Sequence, residues 1–182
     1  KGRLPTHILP MAVIQGHTPH ALRYCAQELK DIDFPLYGVG SLAELRRQQP
    51  IVERLTAVAE VIQPGKLHVF GVSSVSTVRI LAGLGVRSFD SAQPAKAAMY
   101  NEVIYSQPYR RYGILESGES PMRGRIPRHR RLNTPLACDC PVCQRSATSI
   151  LIVGKRQGIR DRALHNYYHL KQEFTSLTSS RT

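Results

Sequence analysis

The chain has 182 residues, enough for one ordinary domain with a real core, and its apolar residues are mixed with polar ones throughout, which argues against disorder. No stretch approaches the roughly 18 to 20 uninterrupted apolar residues of a membrane-spanning helix. Pro5 and Pro10 break the basic start "KGRLPTHILPMAV" before a segment of signal-peptide length develops, so the sequence reads as soluble and cytoplasmic. A formal net charge of +12 calls for an anionic partner, and in the cytosol the commonest is nucleic acid.

In chain order, "MAVIQG" (11–16) is a short apolar run closed by Gly, and "TPHALRYCAQELKDI" (18–32) follows with helical spacing at Leu22, Cys25, Leu29 and Ile32. Thr18 and Pro19 supply an N-cap and a first helical residue, and Cys25 reads as a small buried apolar side chain. "FPLYGVG" (34–40) is a second strand candidate. After it, 41–63 has helical character interrupted at Pro50, with Ser41 and Glu44 spaced as a capping box. "KLHVFGV" (66–72) and the helical 73–85, stopped by Gly83 and Gly85, repeat the pattern. "RSFDSA" (87–92) is a fourth strand, followed by a helix starting near Pro94.

Four strand-then-helix units in about a hundred residues predict parallel strands covered by helices, an α/β fold. Four units are half of an eight-stranded (β/α)8 barrel. In such a barrel the active site lies at the C-terminal strand ends, so Gln15, Ser41, Ser73 and Asp90 are expected on one rim. Beyond residue 101 the pattern changes to Tyr-, Arg- and Pro-rich sequence, then "CDCPVC", an apolar strand "SILIVGK" (149–155) and a final helix "IRDRALHNYYHLKQEF" (159–174). The expected division is a half-barrel over 1–100 and a basic, metal-stapled subdomain over 101–182. Charge follows the same division: residues 1–100 carry 11 basic against 7 acidic side chains, or +4, and residues 101–182 carry 14 against 6, or +8. The densest run, "MRGRIPRHRR" (122–131), is kept extended by Pro and Gly, which suits either a solvated linker or arginines laid along phosphates.

Cys138, Cys140 and Cys143 form a C-x-C-x2-C cluster, three soft thiolates where a closed structural zinc site needs four ligands. Asp139 and Pro141 between them favour a tight turn rather than a packed apolar face. The fourth ligand is expected from His165 or His169, four residues apart on one face of the last helix. A full shell leaves no open position for water, so the zinc is expected to be structural and the chemistry to lie elsewhere. Asp90 is the candidate. It fits a helix cap, and it also fits a nucleophile at an acetal-like carbon. Gln15 fits a polar loop residue or an amide that reads the edge of a planar base.

Taken together, "VIQGHTPHALRYCAQEL", "YGVGSL", "LHVFGVSS", "ILAGLGVRSFDSAQP", "CDCPVC" and "ALHNYY" resemble, in order and spacing, the C-terminal half of the tRNA-guanine transglycosylase family. That resemblance covers nearly the whole chain from about residue 11. It implies the C-terminal half of a (β/α)8 barrel with a zinc-binding region, and exchange of guanine in tRNA for a 7-deazaguanine. Carried over, Asp90 is the nucleophile at the ribose C1′. Gln15 and the turn Gly40, Ser41 and Leu42 read the base, and Cys138, Cys140, Cys143 and His165 bind zinc.

The chain departs from the family at Ser41, where a second Gly is usual, and on the helix after the nucleophile. There Lys96 and Met99 stand at the positions of two tRNA-gripping arginines in bacterial members, and Lys96 retains a charge for phosphate. "QRSATSILIVGKRQG" replaces the usual aromatic and basic stretch, and "FDSA" is closer to archaeal-type and DNA-modifying relatives, which makes DNA the alternative nucleic acid. The family's second essential carboxylate, a general acid/base, lies in an N-terminal half that the first ten residues cannot replace. Activity is therefore expected to need that missing half or a partner subunit. The competing class is a noncatalytic, zinc-stabilised nucleic-acid-binding or accessory subunit.

Overall fold

The computed structural model describes residues 5, 7–42, 45, 47–72, 74–114 and 130–179. The chain divides into two compact units, residues 1–91 and 92–182.

The first unit is a parallel α/β sheet. Its strands β1 (Met11–Ile14), β2 (Leu36–Val39), β3 (Leu67–Val69) and β4 (Ser88–Phe89) lie in the order 1-2-3-4. All three pairings are parallel, with Met11 opposite Leu36, Tyr37 opposite Leu67 and His68 opposite Ser88. The connections are α1 (Pro19–Lys30), α2 (Gln48–Ala59) and α3 (Val75–Leu84), the crossovers that parallel pairing requires. Ile14, Leu22, Val39, Leu55, Val78 and Leu81 are fully buried and form the apolar layer between sheet and helices. Along β1 burial alternates: Ala12 and Ile14 are buried, whereas Met11 and Val13 are exposed.

Helix starts follow local chemistry. Thr18 Oγ1 accepts the Ala21 N–H at 3.1 Å with Pro19 as the first helical residue, and Ser74 Oγ accepts the Thr77 N–H at 3.2 Å. Gly85 closes α3 in the left-handed region, at φ 83°. The helix expected from residue 41 instead begins at Gln48, so Pro50 sits in the first turn rather than interrupting a longer helix. A first-turn residue has no intrahelical N–H partner to lose, which is why proline is tolerated there. Ser41 is not a helix cap; it adopts φ 61° in the turn after β2, and Glu44, its expected capping-box partner, lies outside the described residues.

The second unit starts with α4 (Gln93–Met99) and continues into β5 (Glu102–Tyr105), β6 (Arg110–Ile114) and β7 (Arg131–Leu132). In this sheet β5 pairs antiparallel with β6, and β6 pairs parallel with β7. Then follow α5 (Pro141–Ser146), a 3-10 turn over Ala147–Leu151, and the 24-residue α6 (Arg156–Ser179). The expected apolar strand at 149–155 is therefore mostly a 3-10 turn and a bend. Its backbone carbonyls serve a buried guanidinium instead of a sheet: Arg162, fully buried on α6, donates to Ile150 O at 3.1 Å and Ile152 O at 2.6 Å. The same side chain reaches Ala98 O at 3.1 Å and Asn101 Oδ1 at 2.9 Å, at the C-terminal end of α4. Gly158 permits this packing, since a Cβ there would stand 2.1 Å from Ile152 O. None of the described helices is long and apolar enough to cross a membrane.

Candidate active-site rim and metal centre

Gln15, Gly40, Gly71 and Asp90 follow directly on the C-terminal ends of the four parallel strands, or within two residues of them, and so share one edge of the first sheet. The turn after β2 is fastened at several points. Gly40 N–H donates to Ile14 O at 3.0 Å, and Ser41 Oγ donates to Gln15 Oε1 at 2.8 Å. With that oxygen accepting from Ser41, the Gln15 amide NH2 remains as a donor. A Cβ at Gly40 would lie 2.6 Å from Gln15 Oε1, so any larger residue there would push the Gln15 amide out of this position. Arg54, on α2, donates to Ser41 O at 2.7 Å and also to His17 O, so one guanidinium ties the β1 and β2 loops together. Leu42 is buried behind the turn.

Two strands away, Asp90 Oδ1 accepts the Gly71 N–H at 2.9 Å, and the Asp90 backbone is held by Val72 N–H at 3.0 Å. His68 Nε2 lies 3.7 Å from the same Oδ1, while its Nδ1 is 3.1 Å from Ser88 Oγ. The Asp90 side chain remains 58% exposed. Helix capping does not account for this residue: the N-cap of α4 is Ala92, and no side chain caps that helix. Gly71 has φ 71°, the left-handed conformation that turns its N–H onto the carboxylate. Lys96 is exposed on α4. Ser73 and residues 122–129 of the basic run lie outside the described residues.

In the second unit, Cys138, Cys140, Cys143 and His165 offer three Sγ and one imidazole nitrogen within 4.8 Å of one another. His165 Nδ1 is 3.8, 3.3 and 3.4 Å from the sulfurs of Cys138, Cys140 and Cys143. A tetrahedral zinc with ordinary Zn–S and Zn–N bonds gives S···N edges of about 3.5 Å, so the donor set fits such an ion. Burial pushes the Cys138 and Cys143 thiols up and the His165 ring down to about 4, the latter helped by the neighbouring His169. His165 is thus neutral at physiological pH, the form a metal ligand requires, and its other nitrogen, Nε2, is buried without a hydrogen bond of good geometry.

The cysteines are presented by a tight turn running into α5: Cys140 Sγ accepts the Cys143 N–H at 3.4 Å, and Cys140 N–H donates to Cys138 Sγ at 3.3 Å. His165 is set by its neighbour. Asn166, fully buried, accepts the Ile104 N–H at 2.7 Å and donates to Pro94 O at 3.2 Å and Glu102 O at 3.0 Å, bolting α6 across β5 and α4. His169 lies beside the cluster. Its Nδ1 is 3.0 Å from Ser106 N and 2.8 Å from Ser106 Oγ, and its Nε2 is 3.2 Å from Cys138 Sγ.

Sequence reasoning placed His165 and His169 on one helix face but had no signal for Ser106, 59 positions before His165, nor for Arg54, which sits in a helix of ordinary composition. His68 and Gly71 were within reach of the same strand-end argument that selected Asp90.

The model of the family described as queuine tRNA-ribosyltransferase matches residues 5–180, nearly the entire chain. The chain belongs to this family. Among relatives, tRNA-guanine(15) transglycosylase of Pyrococcus abyssi is 27% identical over 168 residues, covering 89% of this chain and 26% of the relative. The enzyme of the same name from Methanopyrus kandleri is 28% identical over 170 residues, 90% of this chain and 33% of the relative. Queuine tRNA-ribosyltransferase of Chlamydia caviae is 30% identical over 106 residues, 57% of this chain and 28% of the relative. The chain therefore spans roughly a quarter to a third of the length of these family members.

Proposed function

We propose that this chain carries the nucleophile half of a tRNA-guanine transglycosylase, working with an N-terminal half that completes the barrel over residues 1–100, and that residues 101–182 form its zinc-stabilised, basic subdomain. The observation that carries the reading is the shared strand edge: an aspartate held by one backbone N–H, with a glutamine amide and a glycine turn fastened on the same edge. The family match and the tRNA-directed names of the archaeal relatives favour tRNA over DNA as the nucleic acid.

In this reading a carboxylate oxygen of Asp90 attacks the ribose C1′ of the target nucleoside. The C1′–N9 bond breaks, and guanine leaves with the electron pair and takes up a proton. A 7-deazaguanine then attacks C1′ through its ring nitrogen, losing a proton as the Asp90–C1′ bond breaks, so the carboxylate is regenerated and the phosphodiester backbone is untouched. The target base must leave its stack to reach the rim. Gln15 NH2 and the backbone of Gly40, Ser41 and Leu42 read the base edge, and the Gly71 N–H fixes the direction of the Asp90 carboxylate. Lys96 and the 122–131 run meet phosphates, which makes affinity fall steeply with salt. Cys138, Cys140, Cys143 and His165 hold a structural zinc. When bound, the ion closes the turn before α5 onto α6 and offers no site for water.

The test is incorporation of labelled guanine into tRNA and into duplex DNA, with this chain alone and with an N-terminal half. Exchange into tRNA in the combined enzyme is expected. Tight tRNA binding with no exchange in any combination would assign the chain to a noncatalytic binding role instead.

A further inference from the structure

We propose that His169 is a positioning residue of the metal centre, a neutral imidazole whose Nε2–H donates to the Cys138 thiolate. The inference rests on the zinc reading above and concerns a side chain outside the four ligands. A backbone N–H can only donate, so the Ser106 N–H at 3.0 Å from His169 Nδ1 requires a lone pair on that nitrogen. The ring proton of the neutral tautomer is then on Nε2, and Nε2 is 3.2 Å from Cys138 Sγ. The Ser106 hydroxyl, 2.8 Å from the same Nδ1, adds a second donor on that side. His169 as the fourth metal ligand is incompatible with this arrangement. Ligation through Nε2 would put the ring proton on Nδ1, where it would face the Ser106 N–H.

Cys138 is the sulfur that needs such support. Cys140 and Cys143 are buried, whereas Cys138 is only partly so, and it precedes the α5 turn that presents the other two. Its thiolate receives the Cys140 N–H at 3.3 Å from one side and His169 from the other. Two N–H donors lower the charge left on the sulfur, fix its lone pairs toward the metal, and disfavour its protonation and release. The ring also contacts Tyr105, at 5.2 Å between centroids, and Tyr168, at 5.4 Å, and these contacts help to fix its orientation.

Two substitutions in the full chain separate the donor from the ring. His169→Phe keeps an aromatic ring and removes the N–H; His169→Gln keeps a side-chain N–H donor. Zinc affinity is measured by competition with a chromogenic chelator, and the sulfur-to-metal charge-transfer band is recorded with cobalt(II) as a spectroscopic probe. His169→Phe should weaken zinc binding about 10- to 100-fold and shift the cobalt band, whereas His169→Gln should stay within about threefold of the parent. Equal affinity and an identical cobalt spectrum in His169→Phe would overturn the proposal. An equal loss in both variants would also overturn it, by showing that a side-chain N–H donor does not restore what is lost with the imidazole. If the parent chain itself binds no zinc, the metal reading fails before the His169 question arises. Retention of metal by His165→Ala with complete loss in His169→Phe would make His169 the ligand and contradict the tautomer argument.

Discussion

The rim and the cysteine cluster are held in opposite ways. Asp90 is 58% exposed and takes one backbone hydrogen bond on one oxygen, and Gln15 is exposed with its amide fastened by a single hydroxyl. Cys140 and His165 are fully buried, and the residues that orient the cluster, Asn166 and Arg162, are themselves buried and hydrogen-bonded several times over. A strand end projects its first loop residue by geometry alone, so a site built there needs little side-chain support. A buried cluster depends on satisfied polar neighbours, because an unmatched group in the interior is costly. Asn166 and Arg162 meet that need even though His165 Nε2 has no hydrogen bond of good geometry. The contrast also separates what each site needs from elsewhere: the four candidate metal ligands and their orienting partners all lie within residues 92–182, whereas in the proposed function the rim supplies a nucleophile and a base reader and depends on a proton-handling carboxylate from a partner half.

The contrast is sharpest for substitutions that touch one site alone. In an enzyme assembled with an N-terminal half, Asp90→Asn should lower guanine exchange by at least about 10^3-fold, with zinc content and melting temperature unchanged. A parallel loss of zinc would show that the two sites are not separable. Chelation should act the other way round, lowering stability by several kcal/mol in denaturant unfolding, because metal binding energy is folding energy for the residues that ligate it. Next in size, Asn166→Leu strands the Ile104 N–H and the Pro94 and Glu102 carbonyls, and should destabilise the metal-loaded chain by about 2 to 4 kcal/mol. Urea unfolding followed by tyrosine fluorescence gives the value.

At the rim, Ser41→Gly removes the Oγ bond to Gln15 but relieves a non-glycine residue at φ 61°, so its effect on stability should be within about 1 kcal/mol. Its signature is instead a weaker preference for the correct base, read as a higher KM for guanine. The smallest effect concerns Glu102, buried beside Arg111 and near Tyr109, whose carboxyl is raised by burial against the opposing pull of Arg111. A raised carboxyl favours the native state most at pH below its ordinary value and loses that contribution as pH rises through the folded value. Glu102→Gln should therefore gain stability relative to the parent on going from pH 4.5 to pH 7.5, measured as a difference in melting temperature.

What could be read from the sequence follows the same division. The strands ending in "IQGH", "GVGS" and "FDSA" announced a parallel sheet with its rim residues in order, because strand periodicity and a following helix cap are local signals. The start of α2 was misplaced because the Ser41 and Glu44 spacing mimics a capping box, whereas the chain uses Ser41 to fasten a turn and tolerates Pro50 in a first helical turn. "SILIVGK" has the composition of a strand. It became a 3-10 turn because Arg162, 12 residues beyond Ile150, takes up its carbonyls, a tertiary effect that no window around the segment contains. The cysteine spacing predicted a metal shell but left two histidines open on one helix face; the family resemblance favoured His165, and in the structure its Nδ1 approaches all three sulfurs, while His169 Nε2 lies 3.2 Å from Cys138 Sγ.

The central claim is that Asp90 is the residue that becomes covalently attached to ribose. With this chain and an N-terminal half incubated with tRNA in the absence of an incoming base, the reaction is quenched by denaturation and the nucleotide-bearing peptide is identified by mass spectrometry. The account predicts the adduct on the peptide containing "SFDSA", at Asp90, and none in Asp90→Asn. An adduct on any other residue, or one that persists in Asp90→Asn, would contradict it.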